Sequence, residues 1–280
     1  MIFRPSPVLL LIRRAARSIA MHGVGGAFSR LLLALRRSLR THGLGGTVTR
    51  TLRKRPPQRS KSQLSPHPFD LQHGTETDGY VSGASLSTVS LSGIYSTAYH
   101  AIQPSPFRQA LTLISDESDG FRYPEQFTFV DLGCGMGRAL LIASRLPFQA
   151  LVGVELSPDL CRLAIRNAEV FPDAKRRISI RNQDAITVDY PKGPLVIFMY
   201  HPFLLPVLRR VLSNLERQLA VRPRPCLVLY ACDPEENSVL RSSSLFNMVF
   251  DIPLPLSPEE LETDPFGSSH LRFTLYKATL

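Results

Sequence analysis

The stretch from Phe127 to Glu155 constrains this chain most: an apolar run meets Asp131-Leu132-Gly133-Cys134-Gly135-Met136-Gly137-Arg138, a helical segment follows, and a second apolar run ends in an acid. Phe127, Phe129 and Val130 are β-formers in a short apolar run, which predicts a strand. The glycines come at once after it, where the backbone must turn tightly and approach a ligand. Ala139 to Leu146 then predicts a helix closed by Pro147. Ala150 to Val154 predicts a second strand, bounded by Glu155 and the helix starter Ser157-Pro158-Asp159. In a βαβ unit of this order, the acid after the second strand lies where it can accept hydrogen bonds from a ribose diol, so the stretch reads as a nucleotide cradle.

The third glycine bears on which nucleotide. A dinucleotide fingerprint beginning at Gly133 requires glycine at position 138, where helix and strand pack closely, and that residue is Arg138. The spacing is G-x-G-x-G, with Asp131 two residues ahead of the first glycine. In this it resembles the first motif of the class I S-adenosylmethionine-dependent methyltransferases. Together, Val130 to Arg138 and Gly153-Val154-Glu155-Leu156-Ser157-Pro158 are similar to a group of small bacterial methyltransferase-domain proteins of undefined substrate. The resemblance covers about Phe69 to Leu280. It implies S-adenosyl-L-methionine as cofactor, with Asp131, Gly133 and Gly135 bordering its methionine end, Gly137 completing the loop, and Glu155 holding the ribose hydroxyls.

Downstream, Arg177 to Arg181 alternates as a short strand and leads into Asn182-Gln183-Asp184. The resemblance implies that Asp184 accepts a hydrogen bond from the adenine amino group; the alternative is an Asp that bonds its own backbone in an ordinary turn. Pro194 to Met199 is a continuous apolar run suited to a strand buried on both faces, ending in Tyr200-His201-Pro202-Phe203. Leu204 to Leu219 carries leucine and valine at helical spacing, with Pro206 in its first turn. Pro225 to Ala231 predicts a further strand, and Leu245 to Ile252 with His270 to Ala278 predicts an antiparallel pair at a sheet edge. The expected fold class is α/β: a doubly wound, mostly parallel seven-stranded sheet of the Rossmann-like methyltransferase type, residues 127–280, behind a basic helical N-terminal arm.

Charge divides the chain. Residues 1–69 hold fourteen Lys and Arg and no acid, while residues 70–280 hold nineteen bases against twenty-three acids, so the net +10 belongs to the N-terminal segment. Within residues 1–52, His22-Gly23-Val24-Gly25-Gly26 recurs as His42-Gly43-Leu44-Gly45-Gly46, a twenty-residue repeat. Phe28, Leu31, Leu32, Leu35 and Leu39 make an apolar stripe flanked by arginines. An anionic membrane surface, a nucleic acid and the catalytic domain itself compete as its partner, beside a solvated arm with none. Residues 53–68 read as a Pro-rich basic linker.

The four cysteines, at 134, 161, 226 and 232, have no C-x-x-C spacing, and the seven histidines are scattered, so reduced structural thiols and no metal site are expected. No apolar run reaches the roughly 18 residues of a membrane span, and Val8 to Ile12 is short for a signal peptide. The expected location is cytoplasmic, at a membrane periphery if the arm docks there; an Arg-rich, acid-free start also suits a mitochondrial presequence.

Residues 69–126, including Phe69 to Gly79, Tyr95 to His100 and Pro104-Ser105-Pro106, resemble the segments that precede and cover the cofactor domain in the same group; Tyr95 and Tyr99 either close the pocket or pack on the sheet. Methyl transfer from a sulfonium is an in-line displacement in which alignment supplies much of the catalysis. Tyr200 and His201 are the catalytic candidates, since the sheet's carboxyl edge faces the reacting methyl there and an imidazole can take a proton near neutral pH. Related sequences tend to carry Asn at the position of His201. The competing function is a methyltransferase-fold scaffold without activity, recruited to an anionic surface by its arm.

Overall fold

The computed structural model describes residues 67–83, 90–117, 121, 123–171, 177–231, 238–264 and 267–279. The basic arm with its repeat, the linker except for its last two residues, and Cys232 lie outside them.

Seven strands form one sheet: β3 (Thr128–Leu132), β4 (Ala150–Glu155), β5 (Ile178–Asn182), β6 (Leu195–Tyr200), β7 (Cys226–Ala231), β8 (Phe246–Pro255) and β9 (His270–Ala278). Their spatial order is β5-β4-β3-β6-β7-β9-β8. The first five are parallel; β9 runs antiparallel to β7 and to β8. This is the doubly wound order expected of the methyltransferase sheet, and its strand sequence reverses between β3 and β6, the crevice where such sheets bind ligands.

Alternation along the strands builds two core layers. Phe129, Phe198, Leu229 and Phe273 face one side, packed by helices α3 (Pro104–Glu117) and α4 (Arg138–Ala143). Val130, Ile197, Val228 and Tyr276 face the other, against α6 (Leu205–Val221). Helix α5 (Pro158–Val170) crosses between β4 and β5; Ser157 caps it, as the sequence signal predicts, by accepting from Leu160 N.

Two boundaries differ from the sequence reading. Helix α4 begins at Arg138 and ends at Ala143 rather than Leu146, because the last turn tightens: Arg145 N bonds Ile142 O and Leu146 N bonds Ala143 O, three residues back, before Pro147. Strand β8 runs on to Pro255, with Pro253 opposite Arg272 and Pro255 opposite His270. It is one of the sheet's two edge strands, where proline's missing N–H breaks no inner ladder.

Ahead of the sheet, a cap is built from α1 (Pro68–His73), the two-residue strands β1 (Tyr80–Val81) and β2 (Tyr99–His100), α2 (Leu91–Ile94) and α3. Asp70 organises it. One carboxylate oxygen accepts from the Thr75 and Thr77 hydroxyls, each at 2.6 Å; the other accepts from Thr77 N at 2.9 Å and Asp78 N at 2.7 Å. Arg138, 2% exposed, enters from the glycine loop: Nε donates to Thr77 Oγ1 at 2.7 Å, Nη1 to Ile102 O at 3.3 Å, and Nη2 stands 3.5 Å from Asp70. Its guanidinium also lies 5.5 Å from the centre of the Phe69 ring.

Removing one partner strands the other charge in the interior, which costs about 3–5 kcal/mol. Arg138→Met and Asp70→Asn are each expected to lower unfolding free energy by about that amount in a urea titration, and the double variant by much less than the sum.

Candidate active site

The carboxyl ends of β3, β4 and β6 meet beneath the glycine loop. Gly133 N and Cys134 N both donate to Val154 O, at 2.8 and 3.1 Å, which ties the loop to β4. Gly133 and Gly135 have φ of +81° and +56°, the left-handed region. Close approach adds to the demand. A Cβ at Gly133 would lie 2.4 Å from Pro202 Cβ, and one at Gly135 would lie 2.1 Å from the Tyr99 ring. Tyr99, whose hydroxyl donates to Thr77 O at 2.5 Å, thus rests on Gly135 while anchored in the Asp70 network. Of the two candidate covering tyrosines, Tyr99 lines the cleft; Tyr95 packs against the core layer that holds α6.

The structure also accounts for an arginine at position 138. A Cβ on Gly153 in β4 would meet Leu140 Cδ1 at 2.7 Å and Cys134 Sγ at 2.8 Å. The strand, not the loop, supplies the glycine for helix–strand contact, and residue 138 is left to point into the cap.

Three acids, Asp131, Glu155 and Asp184, line the cleft, and the first two are buried. Glu155 bridges loop and helix: Oε2 accepts from Gly135 N at 3.0 Å and Oε1 from Ser157 N at 2.8 Å. Burial pushes its carboxyl up from the ordinary value, and these backbone donors work against that shift. Asp131 is different. It is 3% exposed and lines the cleft, yet among the described residues it has no hydrogen-bond or ion-pair partner. Burial, and then the nearby Glu155 charge, hold its carboxyl well above the usual range.

Of the remaining residues singled out in the sequence, Asp184 and Tyr200 also line the cleft. One Asp184 oxygen accepts from Ile186 N at 3.1 Å, so the side chain caps the short turn Ala185–Thr187, as in the turn alternative, while standing at the cleft. Gly137 packs on Ala164 of α5, 3.4 Å from its would-be Cβ, and does not border the cleft. His201 does not border it either. Its φ is +38°, a strained conformation held by Thr97, whose hydroxyl donates to His201 O at 2.5 Å and whose N–H donates to Pro202 O at 3.1 Å. His201 faces a second cavity of about 340 Å³ that shares Thr97, Ala98, His100 and Tyr200 with the cleft, whose own free volume is about 70 Å³.

Sequence reasoning missed Asp70, Arg138 and Asn167 as site-builders. Asn167 in α5 donates to Met136 O at 2.9 Å and to Glu76 O at 3.1 Å, clipping loop to cap. The only signal was Asp70 followed by Thr75 and Thr77, polar residues beside apolar Phe69. No group of three or more histidines, cysteines or acids among the described residues is placed to hold a metal ion, and no described helix is long and apolar enough to cross a membrane.

No protein-family model matches the chain, and no curated protein matches it. Solved structures resemble it in fold. The O-methyltransferase from Bacillus cereus, solved in complex with SAH, is 11% identical, with a TM-score of 0.44, over 64% of this chain and 83% of its own. Magnesium protoporphyrin IX methyltransferase from Synechocystis, with bound SAM, is 11% identical at a TM-score of 0.44, over 61% of this chain and 79% of its own. The cyclase SpnF is 15% identical at a TM-score of 0.45, over 62% of this chain and 82% of its own. Likeness at this level carries neither activity nor substrate to this chain.

Two outcomes follow from the site geometry. A carboxyl with a raised folded pKa binds more protons folded than unfolded, so stability falls as pH rises from about 4 through the folded pKa. Asp131→Asn removes that loss: its advantage over wild type in thermal midpoint should be absent below about pH 4 and grow above it. Gly135→Ala should cost about 1–3 kcal/mol through the Tyr99 clash and the positive φ. In a Tyr99→Ala background the same change should cost measurably less by denaturant titration.

Proposed function

We propose that the chain is an S-adenosylmethionine-dependent methyltransferase. One observation carries the reading: Asp131, a buried carboxylate in the ligand crevice of a doubly wound sheet, lacks a cationic partner among the described residues. A buried charge without a partner is expensive, and a ligand bearing a cation relieves that cost. A nicotinamide dinucleotide presents its pyrophosphate to the glycine loop, so its anionic part would meet the buried Asp131. An amino-acid nucleoside presents an ammonium and a sulfonium instead.

In this reading Asp131 holds the cationic amino-acid end, Glu155 accepts from the ribose hydroxyls, and Asp184 borders the adenine. The bound cofactor supplies an electrophilic methyl carbon on a sulfonium. Tyr200, common to both cavities, orients the acceptor, and His201 on the acceptor side takes up a proton where the acceptor begins protonated. The cleft's free volume is about 70 Å³, and the Tyr99 ring forms part of its wall.

Calorimetry decides it. S-adenosylhomocysteine should bind and NAD should not. Glu155→Gln, which keeps one acceptor oxygen for the loop, should weaken that binding about tenfold or more, corresponding to about 1.5–3 kcal/mol for a charge-assisted bond. Binding of NAD, or unchanged affinity in the variant, overturns the reading.

A further inference from the structure

The cavity beyond the cleft exists because the last strand is reversed. Strands β6 and β7 end at the carboxyl edge with Tyr200 and Ala231, and β9, running the other way, begins there, pairing Phe273 with Ala231. Residues from both ends of the sheet's sequence thereby meet. The cap adds β1 and β2, which pair Tyr80 with His100. The resulting space, about 340 Å³, is within the range of small-molecule sites and joins the cofactor cleft through His100 and Tyr200.

Among the described residues its lining carries one formally charged side chain, Arg272. Around it stand His100, His201, His270, Tyr80, Tyr200 and Arg272, and no aspartate or glutamate lines it among the described residues. Behind the wall, Asp251 accepts from Arg272 Nε at 2.8 Å and also pairs with Arg241. Arg272 therefore presents its guanidinium at the cavity wall with Asp251 behind it. Hydrogen bonds from Arg272 and from Thr274 (3.0 Å) hold the Asp251 carboxyl below the usual carboxylate range, against the opposing effect of its partial burial, so it stays ionised and cannot become a neutral hydrogen-bond donor near neutral pH. An ammonium entering this space meets imidazoles and a guanidinium and, among the described residues, no acid in the lining, whereas a carboxylate or phenolate meets donors on several sides. Phenol and imidazole rings offer flat faces, His100 and Tyr200 lying edge-to-face with centres 6.4 Å apart.

We propose that this cavity binds the methyl acceptor and that the acceptor is a small anionic ring compound, a hydroxylated aromatic acid in chemical class, rather than an amine. The proposal rests on the methyltransferase reading, and its test separates the two. Binding is measured by ligand-observed NMR and calorimetry on the full chain, with and without saturating S-adenosylhomocysteine, using para-hydroxybenzoate and para-hydroxybenzylamine as probes of like size and opposite charge. The benzoate should bind at least tenfold more tightly than the amine. His270→Glu, at the exposed start of β9 and outside the cofactor cleft, should weaken benzoate binding at least tenfold and leave S-adenosylhomocysteine affinity unchanged; His270→Lys should retain benzoate binding. Absence of benzoate binding, equal or tighter binding of the amine, or indifference to His270→Glu overturns the acceptor assignment. Failure of S-adenosylhomocysteine to bind, with the benzoate still bound, overturns the cofactor reading and leaves an anion site.

Discussion

The structure depends on one buried ion pair and its satellites. Arg138 leaves the glycine loop and Asp70 leaves the first helix of the cap; they meet where neither charge reaches water. Such a pair is poor evidence for stability in itself, because desolvation takes back much of the Coulomb attraction. Its value lies in direction. Every lone pair of Asp70 is used by the segment from Thr75 to Asp78, so the cap can close over the loop in one register only. Tyr99 inherits its position from that register through Thr77. Gly135, in turn, has no room for a side chain because Tyr99 is there. A chain of dependence thus runs from a surface segment to the floor of the crevice.

Asp131 and Glu155 sit in the same crevice and handle burial differently. Glu155 satisfies itself with backbone N–H groups and stitches the loop to α5. The Asp131 carboxylate has no hydrogen-bond or ion-pair partner among the described residues. The difference is one of partners: Glu155 is held by backbone donors, while Asp131 faces the cleft.

How much of this was legible in the sequence follows from what is local. The strand–glycine–helix–strand–acid order of 127–155 needs only neighbours along the chain, and the sheet that formed around it has the expected strand order. The capping role of Ser157 was equally local. The roles of Arg138 and Asn167 were not, because each reaches a cap residue more than sixty positions away. Glycine at 153 looked like an ordinary strand residue; its purpose appears only when Leu140 and Cys134 are seen against it. His201 follows a strand, as the sequence indicates, but that it lines the neighbouring cavity and not the cleft shows only in the structure, where its φ is positive. Periodicity cannot register a single left-handed residue. The second cavity was hidden for the same reason: its walls come from residues 80 to 272, and no short motif spans them.

The outer strand of the sheet has a consequence beyond the site. Among the described residues β8 is paired on one side only, by β9. An open strand of ten residues is a template for another chain, and sheets that leave one bare tend to grow by edge addition. Here the ladder is interrupted in two places, by an irregularity between Met248 and Phe250 and by prolines at 253 and 255. Proline brings no N–H to offer, and the irregularity breaks the even spacing of those that remain. With Met248 about half exposed beside the break, an incoming strand would find apolar surface but no continuous row of partners. Strand β8 therefore offers an incoming strand only an interrupted edge.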